Sequence, residues 1–241
     1  MMGHSHAVSG ALGWFALAPV VAQVSGHSIG TPELIFGAVT CAGAALLPDL
    51  DHPQATISHF LGPVSVAVSK VVHAVAGGHR QATHSFAFCF LAGGATAAAG
   101  VAFGRNAVLV ILFFAAGLAL RGLGLAPPKK DPVVSGLAVA AEAAVIVFLA
   151  DRYLPGTWWW LPFAIGLGCF LHLCGDCSTP EGCPLFWPNK WRFSLPIISR
   201  TGNMMETRII TPLMVLGLLF FMWSRILHPV ASGLLAYTGL A

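Results

Sequence analysis

The sequence predicts an all-α fold: a polytopic transmembrane helical bundle with about seven spans and one interfacial or re-entrant helix. Composition is the first reason, since 56% of the 241 residues are hydrophobic and only 9% are charged, whereas about 25% are charged in an ordinary soluble domain. The second reason is a series of apolar runs, most of them long enough to cross a hydrocarbon core of about 30 Å. Short loops and the lack of an internal repeat predict that residues 1 to 241 form a single membrane domain.

Seven runs are predicted to span the membrane. They cover approximately residues 7 to 26, 33 to 48, 84 to 103, 106 to 126, 133 to 150, 157 to 175 and 208 to 226. The second run is short because it is bounded by Glu33 and Asp49, and at 1.5 Å per residue it reaches about 22 Å. The residues after it are therefore expected to lie below the headgroups. Residues 55 to 77 form a weaker apolar stretch, which predicts the interfacial or re-entrant helix.

Successive spans place the connections alternately on two faces of the membrane. The N-terminus, the 49 to 83 connection, the 127 to 132 loop and the 176 to 207 segment fall on one face. That face carries Lys70, Arg80, Lys129, Lys130, Lys190, Arg192, Arg200 and Arg208, and the other carries Arg105, Arg152 and Arg225. The positive-inside rule predicts a multi-pass protein of the bacterial inner (plasma) membrane whose richer face is cytoplasmic.

Two carboxylates and an imidazole follow the second run within four residues, in the string LLPDLDHP at 46 to 53. Charged groups at the end of a membrane helix are costly unless they are used. Oxygen and imidazole ligands together suit Zn, Mn, Fe or a similar divalent ion. Asp49, Asp51 and His52 are therefore candidate metal ligands, and helix capping by Asp49 is the structural alternative.

A second string, HRQATHS at 79 to 85, opens the third run. His79 and His84 can both face a common ion if the helix begins between them. Arg80 lies between the two histidines in the sequence, and its planar fork can donate two hydrogen bonds to a phosphate or carboxylate. This string adds two imidazoles and an anion-binding group to the candidate site.

A third string, HLCGDCSTPEG at 172 to 182, ends the sixth run. His172 and Asp176 are four residues apart and hence on one helical face, which is ligand spacing. A structural hydrogen bond between the two is the alternative. Cys174 and Cys177 have CxxC spacing, but without a second pair they are interpreted as thiols packed near a helix end.

The fourth motif covers residues 4 to 10 and includes His6, with His4 as the less favoured neighbour. Gly10 follows one turn after His6, where helices can pack closely. Span parity brings this motif and the three strings to the cytoplasmic face, although they lie far apart in the sequence. Their agreement in side predicts that they form one site.

An aromatic and basic run, LFWPNKWRF at 185 to 193, is typical of segments that lie in a headgroup layer. Lys190 and Arg192 could bind anionic lipid there, and an interfacial anchor without a ligand is the alternative. The other basic residues are scattered and form no stripe along which a nucleic acid could bind. The expected partners are therefore membrane lipids and not nucleic acid.

Together these strings resemble the YdjM-like family of LexA-regulated, membrane-bound proteins labelled metal-dependent hydrolases. The resemblance rests on LLPDLDHP, GHRQATHS, HLCGDCSTPEGCPLFWP, KWRFSLPI and GNMMETR, in the family's order. It implies metal ligation by Asp49, Asp51, His52, His79, His84, His172 and Asp176, with His6 and Arg80 close by. The family's early histidine fits His6 better than His4.

The predicted function is hydrolysis of an ester or phosphoester of a lipid or lipid-linked substrate by a membrane-bound, metal-dependent enzyme. A metal lowers the pKa of bound water toward 7, and two ions can clamp the attacking and leaving oxygens. More ligands are available than one tetrahedral ion needs, which favours two ions, Zn or Mn. Asp51 or Asp49 is expected to bridge them and to act in catalysis, while Arg80, Lys190 and Arg192 neutralise a substrate phosphate.

Two other classes of protein fit the same residues. An ion or metal transporter or channel would use the His and Asp cluster in transit, and Glu142 would line a continuous path through the membrane. A structural membrane protein would hold the metal in a closed coordination shell as a staple. The oligomeric state carries no sequence signal.

Overall fold

The computed structural model describes residues 1 to 55, 57 to 59, 63 to 126, 132 to 154, 156 and 158 to 238. In these ranges the regular structure is helical and contains no strand, which confirms the predicted fold class. The α-helices are α1 Gly3–Ser25, α2 Thr31–Ala44, α3 Pro63–Ala76, α4 Phe86–Gly122, α5 Pro132–Tyr153, α6 Leu161–Cys177, α7 Thr211–Met222 and α8 His228–Thr238. Lys129 and Lys130, in the predicted 127 to 132 loop, lie outside the described residues.

Several helical stretches are long and apolar enough to cross a membrane. In the described part of the chain they are Gly3–Ser25, Thr31–Asp51, Phe86–Gly122, Val133–Tyr153 and Glu206–Leu234. The helix α6 is apolar but shorter, at 17 residues. The protein is therefore a multi-span helical membrane protein, and the count of about seven spans stays a prediction.

The long helix α4 is broken at Gly104, whose φ of 64° and ψ of −151° are not helical. A Cβ atom on Gly100 would lie 3.5 Å from Cγ2 of Val108, whereas eight residues of straight helix would separate them by about 12 Å. The chain thus reverses direction at Gly104, a conformation that glycine adopts readily. The two arms of α4 correspond to the predicted third and fourth spans.

The helix α2 is as short as the sequence predicts. Its first turn is capped by the Glu33 carboxylate, which accepts a hydrogen bond from the Gly30 N–H at 3.0 Å, and the helix ends at Ala44 after 14 residues, or about 21 Å. The chain then turns through a 3-10 helix, Pro48–Asp51, and Asp51 is completely buried. The short helix therefore leaves the acidic turn inside the bundle.

Glycines let two helices, α1 and α6, pack at contact distance against α2. A Cβ atom on Gly10 of α1 would lie 2.5 Å from the carbonyl oxygen of Cys41, and a Cβ on Gly168 of α6 would lie at the same distance from the same atom. Only a residue without a side chain fits at such a crossing, which is a common way to pack membrane helices. This packing fixes the relative positions of the ends of α1, α2 and α6.

The helix α3 has the character expected of the interfacial helix. It packs against the Pro48–Asp51 turn, and the hydroxyl of its buried Ser69 accepts a hydrogen bond from the Ser58 hydroxyl at 2.8 Å. The opposite face exposes Val71 and Val75. An apolar face turned away from the protein is suited to contact with lipid.

Candidate metal centre

Four separate elements meet at one end of the bundle. The start of α1, the 3-10 turn after α2, the segment before α4 and the end of α6 contribute His6, Asp51, His84 and His172, and all four side chains are completely buried. The four motifs that the sequence predicts to share a face thus lie together. Which side of the membrane this end faces stays a prediction.

Four possible ligand atoms lie close to one another at the centre of this cluster. Nε2 of His84 lies 3.2 Å from Nε2 of His172, 3.4 Å from Oδ2 of Asp176 and 3.8 Å from Oδ1 of Asp49. Nε2 of His172 lies 3.6 Å from the same Asp176 oxygen and 3.7 Å from the same Asp49 oxygen. Ligand atoms about 2.0 to 2.2 Å from a tetrahedral ion lie about 3.3 to 3.6 Å apart, so these separations suit one divalent ion.

Hydrogen bonds fix the protonation of the two facing imidazoles. Nδ1 of His172 donates to the Ala45 carbonyl oxygen at 2.8 Å. The single hydroxyl proton of Thr83 goes to Asp51 at 2.5 Å, so the Thr83 oxygen accepts from Nδ1 of His84 at 3.0 Å. With a proton on Nδ1, a neutral ring carries a lone pair on Nε2, and two such lone pairs 3.2 Å apart repel each other unless a proton or a metal cation lies between them.

Asp51 is surrounded by donors. Its Oδ1 accepts from Nδ1 of His79 at 2.7 Å, and its Oδ2 accepts from the backbone N–H of Arg80 at 3.0 Å and from Thr83. The same Oδ2 lies 3.3 Å from Nδ1 of His84. A carboxylate that holds the far nitrogen of a ligating histidine is a common outer partner of protein metal sites. These contacts favour a positioning role for Asp51 over the bridging role that the sequence predicts, and Asp49, whose side chain is 20% exposed, is the carboxylate left for ligation.

His6 and His172 form a second group of ligands with Asp176. The rings of His6 and His172 are stacked with centroids 3.8 Å apart, and Nε2 of His6 lies 3.2 Å from Oδ1 of Asp176, outside hydrogen-bonding geometry. Neither nitrogen of the buried His6 ring has a hydrogen-bond partner among the described residues. The amino group of Met1 also contacts Oδ1 of Asp176, at 2.6 Å.

The remaining predicted ligands lie at the edge of the cluster. The side chain of His79 is 32% exposed and belongs to a group of four possible ligands with Asp49, Asp51 and His84, whose atoms lie within 4.8 Å of one another. His52 stacks edge-on against His79 at 4.6 Å, and its Nδ1 accepts from the Gln54 N–H. His52 is outside both ligand groups of the described residues, and its predicted ligation is the weakest of the set.

Arg80 already binds two carboxylates. Its backbone has a φ of 58°, a left-handed conformation that is unusual for a residue with a side chain. One terminal nitrogen, Nη2, lies 2.8 Å from Oδ2 of Asp176, and the other, Nη1, lies 2.9 Å from Oε2 of Glu181. The sequence predicts a phosphate-binding role for Arg80, and the structure adds that Arg80 holds one of the candidate ligands in place.

The other two predicted phosphate-binding residues occupy different positions. The guanidinium of Arg192 donates to the backbone carbonyl oxygens of Glu181, Gly182 and Arg80, at 2.8, 3.1 and 3.3 Å. Arg192 therefore fastens the loop after α6 to the site. Lys190 is exposed on the aromatic and basic run and stays a predicted contact for an anionic group.

Four residues outside the predicted set of ligands and phosphate-binding residues also take part in the site. The hydroxyls of Thr83 and Thr179 contact Asp51 and Arg80, and Nδ1 of His73 lies 2.7 Å from the Asp51 carbonyl oxygen. The buried Glu206 accepts from the backbone N–H groups of Met2 and Gly202 and so ties the start of α1 to the last long helix. Thr83 lies in the motif GHRQATHS and Glu206 in the motif GNMMETR. His73 has no acidic neighbour in the sequence, so no sequence pattern points to a role for it in the site.

The cysteines are all free thiols. A hydrogen bond to the Cys177 sulfur, together with burial, raises the pKa of the Cys183 thiol above its ordinary range. Cys177 is buried as well, and Cys174 is exposed. Neither group of possible metal ligands includes a cysteine of the described residues, and the interpretation of the CxxC spacing as packed thiols stays a prediction.

The donor set fits a divalent metal ion. Two neutral imidazole nitrogens face each other between two carboxylate oxygens, and a third buried imidazole lacks partners. A Cβ atom on Gly175 would lie only 2.9 Å from Cε1 of His6, so glycine at that position leaves the ring its place. Nitrogen and oxygen ligands of this kind suit Zn or Mn among the common ions.

The fold and the site together define a class: a helical membrane protein with a buried His and Asp cluster able to bind metal at one end of its bundle. The chain matches the family described as YdjM inner membrane protein over residues 1 to 124 and 135 to 239. It belongs to that family, which confirms the resemblance seen in the sequence and the predicted inner-membrane location.

Two relatives carry the same printed name. The inner membrane protein YdjM of Escherichia coli (strain K12) and that of Shigella flexneri are each 32% identical to this chain over 200 residues. The match covers 83% of this chain and 69% of each relative. No solved structure matches the chain.

Proposed function

We propose that the protein is a metal-dependent hydrolase that cleaves an ester or phosphoester of a lipid or lipid-linked substrate at the cytoplasmic face of the membrane. The observation that carries the proposal is the pair of Nε2 atoms of His84 and His172, which face each other at 3.2 Å beside carboxylate oxygens of Asp49 and Asp176. A cluster built only for stability would place a donor opposite each acceptor.

The metal, when bound, supplies an activated water for attack on the substrate. Asp49, His84, His172 and Asp176 are the residues that would hold it; His6 lies in one group with His172 and Asp176, and His79 lies in another with Asp49 and His84. Asp51 keeps the ring of His84 in the tautomer that ligation requires. Because Asp51 also binds Nδ1 of His79, Nε2 of that exposed ring is the atom left for ligation or for proton transfer.

A lipid substrate is supported by an apolar groove in the helical bundle. The groove has a volume of about 1090 Å³ and is lined by α1, α4 and α6, including Phe86, Phe90 and Phe170. Phe86 follows His84 by two residues, so one end of the groove lies close in the chain to the ligand cluster. An apolar groove beginning there can hold a hydrocarbon tail while the polar head reaches the cluster.

The transport alternative requires Glu142 on a path to the cluster. Glu142 lies in α5, which packs mainly against α4, and the cluster residues of the described chain come from other elements. The buried Oε2 atom of Glu142 has no hydrogen-bond partner among the described residues. Because Glu142 lies on an element that contributes no described residue to the cluster, we favour hydrolysis over transport.

The test uses purified protein in lipid nanodiscs. Bound metal is measured by mass spectrometry before and after chelation, and each sample is incubated with inner-membrane lipid extract whose products are followed by lipid mass spectrometry. Loss of a specific product on chelation, and its return with added Zn or Mn, is the expected result. A protein that binds metal stoichiometrically but turns over no lipid in any extract would contradict the hydrolase proposal and favour a structural metal.

A further inference from the structure

The two terminal nitrogens of Arg80 contact carboxylates in very different surroundings. Nη2 contacts Asp176, whose side chain is only 2% exposed, whereas Nη1 contacts Glu181, whose side chain is 75% exposed. The guanidinium itself is almost completely buried. A buried positive charge thus has one permanent partner and one partner at the surface.

The backbone around Glu181 is fixed while its side chain is not. Arg192 binds the carbonyl oxygens of Glu181 and Gly182, and the Cys183 N–H donates to the Phe193 carbonyl oxygen at 3.0 Å. The Glu181 carboxylate, by contrast, is held only by its contact with Arg80 among the described residues. A change of rotamer is enough to move this carboxylate away without moving the loop.

Removing the Glu181 carboxylate would free an N–H of Nη1 of Arg80 for an anion. Nη1 of Arg80 donates to Glu181 and also to the Thr179 hydroxyl, at 3.1 Å. The Thr179 hydroxyl donates its own proton to the Asp176 carbonyl oxygen, so the guanidinium supplies the donor at this edge. A charged guanidinium N–H matches a phosphoryl oxygen, which accepts charge-assisted hydrogen bonds.

We infer that the Nη1 edge of Arg80 is the binding site for the phosphoryl group of the substrate, and that the Glu181 carboxylate occupies this edge until the phosphoryl group displaces it. The inference rests on the proposed function and names phosphoesters as its substrate class. An exposed ion pair contributes little to stability, because solvent screens it and ordering the side chain costs entropy. A phosphoryl group that also lies next to the metal cluster would gain contacts that Glu181 does not make.

The test measures binding of inorganic phosphate to the metal-loaded protein in nanodiscs by isothermal titration calorimetry. Glu181→Gln keeps the shape of the side chain and removes the competing charge, so the Kd for phosphate should fall by about two- to fivefold, the factor that corresponds to an exposed ion pair. Arg80→Lys in the Glu181→Gln background should abolish that gain, because lysine lacks the fork.

Asp151→Asn is the matched control. Asp151 pairs with Arg105 in a region remote from the motifs, so the substitution makes the same change in net charge without touching the site. Phosphate affinity should be unchanged in this variant. An equal gain in both variants would mean that net charge alone attracts phosphate, and the inference would be wrong.

Metal content measured on the same samples separates the two proposals. If metal occupancy is full but no variant binds phosphate, or Glu181→Gln binds phosphate more weakly than the wild type, the proposed anion site is wrong. The proposed metal site is not contradicted by that result. Loss of metal from Glu181→Gln would show that Glu181 supports the cluster and is not a displaceable occupant. A wild-type protein without metal would contradict the proposed function, while the comparison of the variants would still decide the anion site.

Discussion

At the scale of single residues, the two buried aspartates differ in what surrounds them. Asp51 accepts hydrogen bonds from His79, Arg80 and Thr83, and so its oxygens are occupied by donors. Asp176 also contacts donors, the Met1 amino group and Arg80, but its Oδ2 lies within 3.6 Å of Nε2 of both His84 and His172. The residue type is the same, and the neighbours separate a positioning carboxylate from a ligating one.

Asp51→Asn should therefore weaken metal binding without abolishing it. The amide places an N–H opposite one of three donors and loosens the ring of His84, and loss of such an outer partner typically lowers metal affinity by about 10- to 100-fold. His84→Ala removes a ligand outright and should leave the site largely without metal. Isothermal titration calorimetry of Zn binding to each apo-protein measures affinity and stoichiometry and so distinguishes a weakened site from a lost one.

His27→Ala is the control for both variants. His27 is exposed and stacks on Trp159, away from the cluster, so its removal should leave metal affinity unchanged. If Asp51→Asn and His84→Ala also bind Zn like the wild type, the assignment of the site is wrong. If Asp51→Asn loses as much affinity as His84→Ala, Asp51 is better described as a ligand.

At the scale of elements, the position of the site depends on close packing of helices that carry its residues. Gly10 and Gly168 let α1 and α6 approach the same carbonyl oxygen of α2. His6 precedes Gly10 by one turn, and His172 follows Gly168 by one turn. A shift of either helix at its glycine therefore moves a histidine of the cluster.

Gly168→Ala should destabilise the protein and lower its metal content together. The new methyl would lie 2.5 Å from the Cys41 carbonyl oxygen and 2.6 Å from the Ala44 Cβ, and overpacking of this kind costs about 1 to 3 kcal/mol. Thermal unfolding in detergent and bound metal per protein are the two measurements.

Gly94→Ala provides the comparison. Gly94 is also a glycine of a membrane helix, but a Cβ there would have no neighbour within 4 Å, and alanine favours the helix. This variant should unfold at the same temperature as the wild type or higher. A Gly168→Ala protein that is as stable and as metal-loaded as Gly94→Ala would show that α6 has room to move.

At the scale of the whole molecule, the motif-bearing ends of α1, α2 and α6 point the same way, as the parity of the spans predicts. The described basic residues of the richer face include Arg80 and Arg192 at the cluster, whereas Arg105 pairs with Asp151 in a part of the chain remote from the motifs. This distribution supports a cytoplasmic position for the site.

Cysteine labelling in intact cells tests the orientation. In a variant whose exposed Cys174 is replaced by serine, Lys190→Cys should react only with a membrane-permeant maleimide. Ser28→Cys, in the exposed connection between α1 and α2, should also react with an impermeant one. The reverse pattern would place the site on the periplasmic face and would exclude the cytoplasmic substrate pool.

The sequence by itself determined the class of fold, the short second helix and the motifs that form the site. The reason is that the length of an apolar run and the positions of its charges are local properties, and they decide which segments can lie in the bilayer. It also singled out His6, His84, His172 and Asp176. Tertiary structure decided the role of each of those residues. The tautomer of His84 depends on its contacts with Thr83 and Asp51. The surface partner of Arg80 is Glu181, about a hundred residues further along the chain. His73 could not be found from the sequence because its contact is with a backbone carbonyl oxygen, and only the packing of α3 on the acidic turn creates it.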